Sequence, residues 1–98
     1  MQLNYEKKFG SDSNIEFDFS GRQMKKEYYN MQNQNEGWNI DHIRPLWEKG
    51  TNQECNLEIM NIKSNAEKSN HYPHFKANNQ NWKVVRNKKN YKIVKDDN

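Results

Sequence analysis

Cysteine is almost absent from this sequence, since Cys55 is the single example among 98 residues. The chain therefore has no intramolecular disulfide and no Cys-x-x-Cys pair that would hold a structural zinc ion. It also lacks any apolar run of the roughly 18 residues that a membrane-spanning helix needs, and its first residues lack the apolar core of a signal peptide. We expect an intracellular protein without structural zinc and without a membrane partner.

Acidic residues are missing from one region of the sequence: no Asp or Glu lies between Ser69 and Lys95. The net charge of the whole chain is only +3, but an uneven distribution is what a polyanionic partner detects. We name residues 72–95 the basic arm and expect it to contact nucleic acid; the alternative is an ordinary solvated face. Its basic residues are Lys76, Lys83, Arg86, Lys88, Lys89, Lys92 and Lys95.

The N-terminal part contains two readable patterns. Apolar residues alternate with polar ones over residues 14–19, which predicts a strand with one buried face. Residues 22–34 lack proline and glycine and place apolar residues at helical spacing, which predicts an amphipathic helix. The apolar residues concerned are Ile15, Phe17 and Phe19 in the strand and Met24, Tyr28 and Met31 in the helix.

The central part predicts two strands, over residues 38–43 and 56–60, joined by a long loop. Ser64 and Glu67 then have capping-box spacing, with Ser64 as the N-cap, which predicts a short helix that starts near Asn65. The order of elements is strand, loop, strand, helix.

The C-terminal part predicts one more hairpin, from residues 82–86 and 90–94. Hydrophobic residues make up only 32% of the chain, so we expect a thin core, and a chain of this length has room for one domain. The sequence therefore predicts a single small α+β domain over residues 1–98, with its core unit at 38–71.

The adjacent pair Asp41-His42 has the residue types that phosphodiester hydrolysis requires. This reaction needs a positioned water, a base that takes its proton and a cation that stabilises the developing charge. Adjacent side chains on a strand point to opposite faces, but a kink ahead of Pro45 would bring both to one cleft. Asn65, near the start of the helix, offers a neutral oxygen ligand for a hard cation.

A longer run of residues carries a family resemblance. The sequence Asp-His-Ile-Arg-Pro-Leu at residues 41–46, followed by Gly50, Asn56-Leu57, Asn65 and Lys68, resembles the HNH endonuclease family. The match covers about a third of the chain, and the family's ββα-metal finger has the same order of elements. It implies a DNA endonuclease that uses Mg²⁺ or Mn²⁺.

The resemblance also implies a role for each motif residue. His42 would be the general base, Asp41 and Asn65 would bind the metal, and Asn56 would brace the loop and orient the histidine. This is an H-N-N variant. Two positions depart from the family pattern: Asn61 and Ser64 stand where many members have zinc cysteines, and Lys49 stands where a second loop glycine is usual. The chain is therefore expected to be zinc-free.

Several other residues have two readings. Arg44 would hold the scissile phosphate or be a solvated arginine, and Lys68 would contact phosphate or interact with the negative end of the helix dipole. His71 and His74 are expected to be polar loop residues, although their spacing also permits a phosphate or metal contact. The three tryptophans are expected to form the core rather than to stack on bases; they are Trp38, Trp47 and Trp82.

The leading hypothesis is a metal-dependent endonuclease that nicks one strand of double-stranded DNA per site. Phosphate contacts are expected from Arg44 and Lys68 and from four residues of the basic arm, Lys83, Arg86, Lys88 and Lys89. A double-strand break would need a homodimer or two successive cleavage events by one monomer. The alternative is a DNA-binding or assembly module of a larger nuclease or a phage packaging complex, and a third option is a nuclease toxin.

Overall fold

The computed structural model describes residues 14–96; residues 1–13 and 97–98 of the expected domain lie outside the described residues. Within that range the elements are, in order, β1 (Ile15–Phe17), β2 (Gln23–Lys25), β3 (Trp38–His42), β4 (Leu57–Asn61), α1 (Ile62–Lys68), β5 (His74–Ala77), β6 (Gln80–Asn87) and β7 (Asn90–Lys95). They form three antiparallel sheets, β1–β2, β3–β4 and β5–β6–β7. The predicted α+β class is confirmed. Over residues 14–96, no helix has the length and apolarity to cross a membrane.

The hairpin β3–β4 is the centre of the fold. Its strands pair from Trp38 opposite Asn61 to His42 opposite Leu57, and α1 follows β4 directly. Both strands agree with the sequence prediction to within about one residue at each end, and so does the order strand, loop, strand, helix. Alternation along β3 turns Asn39 and Asp41 toward α1, where they bond to helix residues.

The helix begins earlier than its predicted cap. Asn61 is the N-cap, and its Oδ1 accepts a hydrogen bond of 2.8 Å from the backbone N–H of Lys63. Ser64 lies inside the first turn and is fully buried, with its hydroxyl 3.0 Å from that of Ser20. The prediction of Ser64 as N-cap is therefore wrong, because the serine side chain is used for a tertiary contact.

The predicted helix over residues 22–34 is also wrong. The segment contains β2, the 3₁₀ turn Lys26–Tyr28 and further turns. Of its apolar residues only Met24 is buried, and it packs against Trp38 and Ile59. Isolated helices of this length are marginal without a packed apolar face, so hydrogen bonds to other segments decide the conformation. One of them joins the N–H of Asn30, at φ 60°, to the carbonyl of Trp38.

Strand β1 lies in the predicted segment, and Phe19 packs against the core as expected, but the expected burial of Ile15 and Phe17 is wrong. Ile15 is exposed and Phe17 is 63% exposed, whereas Asp18 is buried. The Asp18 carboxylate accepts hydrogen bonds from the N–H groups of Ser20, Arg22 and Asn61. A buried carboxylate is stable only when it is well bonded, and these bonds fix the β1–β2 connection.

The basic arm forms a sheet that packs on the central hairpin. Its predicted hairpin, β6–β7, is confirmed, and β5 adds a third strand that the sequence analysis missed. The apolar side of this sheet shares one core with the hairpin, made of Ile43, Met60, Phe75, Ala77, Trp82 and Ile93. Trp38 and Trp82 are buried as predicted, but Trp47 is 61% exposed, so its expected core position is wrong.

Candidate active site

His42 lies at the end of β3 and is held by the loop that follows. Its Nε2 is 2.7 Å from Oδ1 of Asn52. In the tautomer that carries the hydrogen on Nε2, this nitrogen donates to the carbonyl oxygen of Asn52, and the lone pair lies on Nδ1. Sequence reasoning did not find Asn52, because a single asparagine in a polar loop has no distinguishing pattern.

Asp41 is paired with a buried lysine. The Lys68 side chain is 1% exposed, and its Nζ donates to Asp41 Oδ2 and to the backbone oxygen of His42, both at 3.0 Å. An ammonium group in the interior is costly unless it is paired in this way. Neither of the two environments predicted for Lys68, a phosphate contact or the helix dipole, accounts for these bonds. The phosphate contact stays a prediction, and it would require both hydrogen bonds of the Lys68 ammonium to break.

Asn65 lies on the same side of β3 as Asp41. Its Nδ2 donates to Oδ1 of Asn39 at 2.8 Å, and Asn39 and Asp41 are alternate residues of one strand. The bond uses the amide nitrogen of Asn65 and not its oxygen. The structure therefore brings the side chains of Asp41 and Asn65 to one interface between β3 and α1, while the ring of His42 is bonded to the adjoining loop.

A second carboxylate shares this interface. Glu58 is the cross-strand partner of Asp41 in the β3–β4 register, so the two side chains project from the same face. Like charges in such a pair repel each other, and the Lys68 ammonium offsets that repulsion. Sequence reasoning had not singled out Glu58, because its position opposite Asp41 depends on the register of the hairpin.

The side-chain oxygens at this interface are ligand atoms that suit a hard cation. Asp41 keeps one carboxylate oxygen outside its bond with Lys68, and Asn65 adds an amide oxygen. Mg²⁺ usually takes one or two protein carboxylates and completes its shell with water and phosphate oxygens. Over the described range no cluster of three or more His, Cys, Asp or Glu side chains could hold a metal, so an ion here would have few protein ligands.

Asn56 braces the loop between β3 and β4. It is fully buried; its Oδ1 accepts from the N–H of Arg44, and its Nδ2 donates to the carbonyls of Arg44 and Thr51 at 3.0 and 2.8 Å. These bonds match the bracing role that the resemblance implies. The ring of His42 is instead hydrogen-bonded to the side-chain oxygen of Asn52.

Two adjacent residues shape the turn of this loop. A Cβ on Gly50 would overlap the backbone oxygen of Arg44, so the position requires glycine. Lys49 has φ 69°, in the left-handed region that glycine adopts most easily. The lysine thus takes a glycine-like conformation where the family usually has its second glycine.

Arg44 is fixed beside the loop by two hydrogen bonds. Its Nε donates to the carbonyl of Glu48 at 2.6 Å, and its Nη1 donates to the hydroxyl of Tyr91 at 3.3 Å. The bond to Tyr91 raises the pKa of Arg44 above its ordinary value. The guanidinium is therefore a positioned cation and not a freely solvated one.

The four expected phosphate contacts of the basic arm do not share one surface. Lys83 and Arg86 project from opposite faces of β6, because their positions differ by an odd number of residues. Lys88 and Lys89 lie in the turn between β6 and β7.

The two C-terminal histidines have separate partners. His71 is an exposed loop residue, as expected, and its Nδ1 lies 3.2 Å from the carbonyl of Lys68. His74 begins β5, contrary to the loop expectation, and pairs with Asp96 at 3.0 Å.

Comparison of the chain with protein-family models, with curated proteins and with solved structures gives no significant match. The HNH resemblance therefore rests on the motif residues and their arrangement.

Proposed function

We propose that the protein is a metal-dependent DNA endonuclease that hydrolyses phosphodiester bonds, with β3, β4 and α1 acting as a ββα-metal finger. The observation that carries the proposal is the position of Asp41 and Asn65 at one strand–helix interface, where the buried Lys68 bonds both to Asp41 and to the backbone oxygen of His42. Asn56 supports it, since its buried amide braces the connecting loop. A single site of this kind would nick one strand per encounter.

In this proposal His42 is the general base. Its Nδ1 takes a proton from the attacking water, the water oxygen bonds to phosphorus, and the bond from phosphorus to the leaving oxygen breaks. The leaving oxygen then takes a proton from solvent. Asn52 keeps the hydrogen on Nε2 and so holds the lone pair at Nδ1. General-base catalysis of this type typically contributes about 10²–10⁴-fold to the rate.

Asp41 and Asn65 would hold Mg²⁺ or Mn²⁺ through their side-chain oxygens. A bound ion supplies charge stabilisation at the phosphate and the leaving oxygen. Arg44 contributes a fixed guanidinium whose remaining N–H groups bind phosphate oxygens, because its planar donor array suits that geometry.

The proposal is tested with the purified chain, supercoiled plasmid and Mg²⁺. We expect conversion to the open-circular form, its loss on addition of EDTA, and a loss of at least about 100-fold in Asp41→Asn. Glu27→Gln, which removes an exposed carboxylate far from the motif residues in sequence, is the matched control and should keep the parental rate. Nicking by Asp41→Asn at the parental rate would contradict the assignment.

One contact favours a second candidate function. The Lys68 ammonium already neutralises the Asp41 carboxylate, as expected if the unit binds DNA within a larger nuclease or packaging complex and is inactive alone. This candidate predicts duplex binding without nicking by the parent chain at any Mg²⁺ concentration. Gel shift and plasmid nicking, measured on the same preparation, distinguish the two functions.

A further inference from the structure

Two arginines share one tyrosine ring next to the candidate active site. Arg86 and Tyr91 are cross-strand partners on β6 and β7, and the Arg86 Cζ lies 5.4 Å from the centroid of the Tyr91 ring. The Arg44 Cζ lies 5.9 Å from the same centroid and 5.6 Å from that of Tyr72. We name the row Arg86, Tyr91, Arg44 and Tyr72 the arginine–tyrosine ladder.

Backbone bonds fix both guanidinium groups. Arg44 donates from Nε to the carbonyl of Glu48 at 2.6 Å, and Arg86 donates from Nε to the carbonyl of Lys88 at 2.8 Å. A guanidinium has five N–H donors, so the Nε bonds leave donors on the terminal nitrogens of both groups. Less side-chain entropy is then lost when an anion binds, because the arginines are already ordered.

Strand alternation places the charged side chains of the basic arm on two different faces of the sheet. Trp82 and Val84 pack into the core and lie on the same face of β6 as Arg86. Lys92 follows Tyr91 on β7 and therefore projects from the opposite face. Arg86 is thus turned toward Arg44, and the turn residues Lys88 and Lys89 continue beyond it.

We propose that the arginine–tyrosine ladder binds the sugar–phosphate backbone of duplex DNA on one side of the scissile phosphate. This inference rests on the proposed function. It predicts the path of the bound DNA strand over the protein, which runs from His42 past Arg44 to Arg86 and the β6–β7 turn. Each strand of duplex DNA carries a phosphate about every 3.4 Å along the helix axis. The guanidinium carbons of Arg44 and Arg86 lie 5.9 and 5.4 Å from one ring centroid, so the two cations fall within the span of a few consecutive phosphates of one strand. Tyr91 is a positioning residue, since it holds both arginines.

The test measures duplex binding in the absence of cleavage. Fluorescence anisotropy of a labelled duplex of about 20 base pairs is recorded with the full chain carrying His42→Ala, over a series of salt concentrations. We expect Arg86→Ala to weaken binding about 5- to 10-fold and to lower the salt slope by about 1, as for the loss of one phosphate contact. Lys92→Ala, which removes a charge from the opposite face, should change the affinity less than 2-fold.

Tyr91 variants separate the ring from the hydroxyl. Tyr91→Phe keeps the ring that both arginines flank and should bind within about 2-fold of the parent. Tyr91→Leu should weaken binding at least as much as Arg86→Ala. Thermal unfolding midpoints close to the parental one identify the variants that keep the fold. If Tyr91→Leu does not fold, the proposal is judged by comparing the affinities of Arg86→Ala and Lys92→Ala.

Equal losses of affinity in Arg86→Ala and Lys92→Ala would overturn the proposal, because only the total charge would then matter. Tighter binding to single-stranded DNA, to RNA or to anionic vesicles than to the duplex would overturn it as well. The result is independent of catalysis: a ladder-dependent affinity together with a chain that never nicks plasmid would support the ladder and contradict the endonuclease.

Discussion

At the scale of single residues, the buried ammonium of Lys68 joins α1 to the end of β3. It has two hydrogen-bond acceptors, Asp41 Oδ2 and the backbone oxygen of His42. The Asp41 side chain is 25% exposed, so water screens part of the interaction and its free energy is smaller than that of a fully buried pair.

We predict that Lys68→Met lowers the free energy of unfolding by about 1–3 kcal/mol, since two acceptors lose their donor. The measurement is urea denaturation of the parent, Lys68→Met, Asp41→Asn and the double variant. The two substitutions should be coupled by about 1 kcal/mol or more. Strictly additive effects would mean that the bond contributes nothing to stability.

Asn52 provides a second residue-scale prediction, because its carbonyl oxygen orients the ring of His42. Asn52→Asp keeps an acceptor for Nε2–H and should nick plasmid within a few-fold of the parental rate. Asn52→Leu removes it, and the rate should fall roughly 10–100-fold, as for other partners that orient a functional histidine. Duplex affinity measured in parallel should be unchanged in both. Equal rates in the two variants would show that the contact does not orient the base.

Motif residues could be identified from the sequence, whereas their partners could not. Asp41, His42, Asn56 and Asn65 were singled out because their types and spacing match a family motif. The partners act through contacts that only the folded chain makes, Asn52 with His42 and Tyr91 with the two arginines. No local pattern specifies which loop asparagine or which strand tyrosine will make such a contact.

At the scale of elements, the loop between β3 and β4 is a constrained structure. Asn56 bonds to the backbone at two points of it, and Gly50 passes close to the backbone of Arg44. The motif residues on β3 and the arginine that follows them therefore depend on the geometry of this loop.

We predict different effects for two substitutions in adjacent residues of this loop. Gly50→Ala must displace the Arg44 carbonyl, so the midpoint of thermal unfolding should fall by several degrees, the shift expected for a loss of about 1–3 kcal/mol. Lys49→Gly relieves a left-handed conformation and should leave the midpoint unchanged or raised. A stable Gly50→Ala variant with normal activity would contradict this account of the loop.

Glu67 links α1 to two neighbouring segments. It accepts a hydrogen bond from the backbone N–H of Asn78 and one from Arg22, and these bonds, that from Asn78 most of all, lower the pKa of Glu67 below its ordinary value. A carboxyl with a lowered pKa in the folded state stabilises the protein above its unfolded pKa, and this contribution is lost as the pH falls through the folded value.

We therefore predict that Glu67→Gln reduces the free energy of unfolding at pH 7 by at most about 1 kcal/mol, because the side chain is 42% exposed. The difference from the parent should shrink below a pH of about 4.3, the usual value for an unfolded glutamate. Urea denaturation at pH 7 and pH 3 measures both effects. A difference that grows at acid pH would have the wrong sign.

Alternation correctly predicted the two strands of the central hairpin. Trp38 and Ile40 of β3 pack with Ile59 of β4 on one face, and Met60 of β4 packs on the other face against the C-terminal sheet. The apolar residues of segment 22–34 have helical spacing. The segment is nevertheless not helical, because it bonds to Asp18 and pairs with β1 instead. Local spacing cannot reveal such non-local bonds.

At the scale of the whole molecule, the C-terminal sheet contributes to both the core and the arginine–tyrosine ladder. Its apolar side completes the core with Ile43 and Met60, and Arg86 and Tyr91 extend the candidate site. Charge alone predicted a nucleic-acid contact for residues 72–95 without showing which face carries it. Alternation along β6 separates Arg86 from Lys83, and the β6–β7 register, which depends on the folded chain, places Tyr91 opposite Arg86.

We propose His42 as the general base of a Mg²⁺-dependent endonuclease, and the rate at which His42→Ala nicks plasmid measures this role. At matched Mg²⁺ and with protein in excess over plasmid, the nicking rate should fall by at least about 100-fold, while duplex affinity stays within about 2-fold. The control His74→Ala removes an exposed histidine that pairs with Asp96 on another sheet and should keep the parental rate. Nicking by His42→Ala at the parental rate would contradict the account.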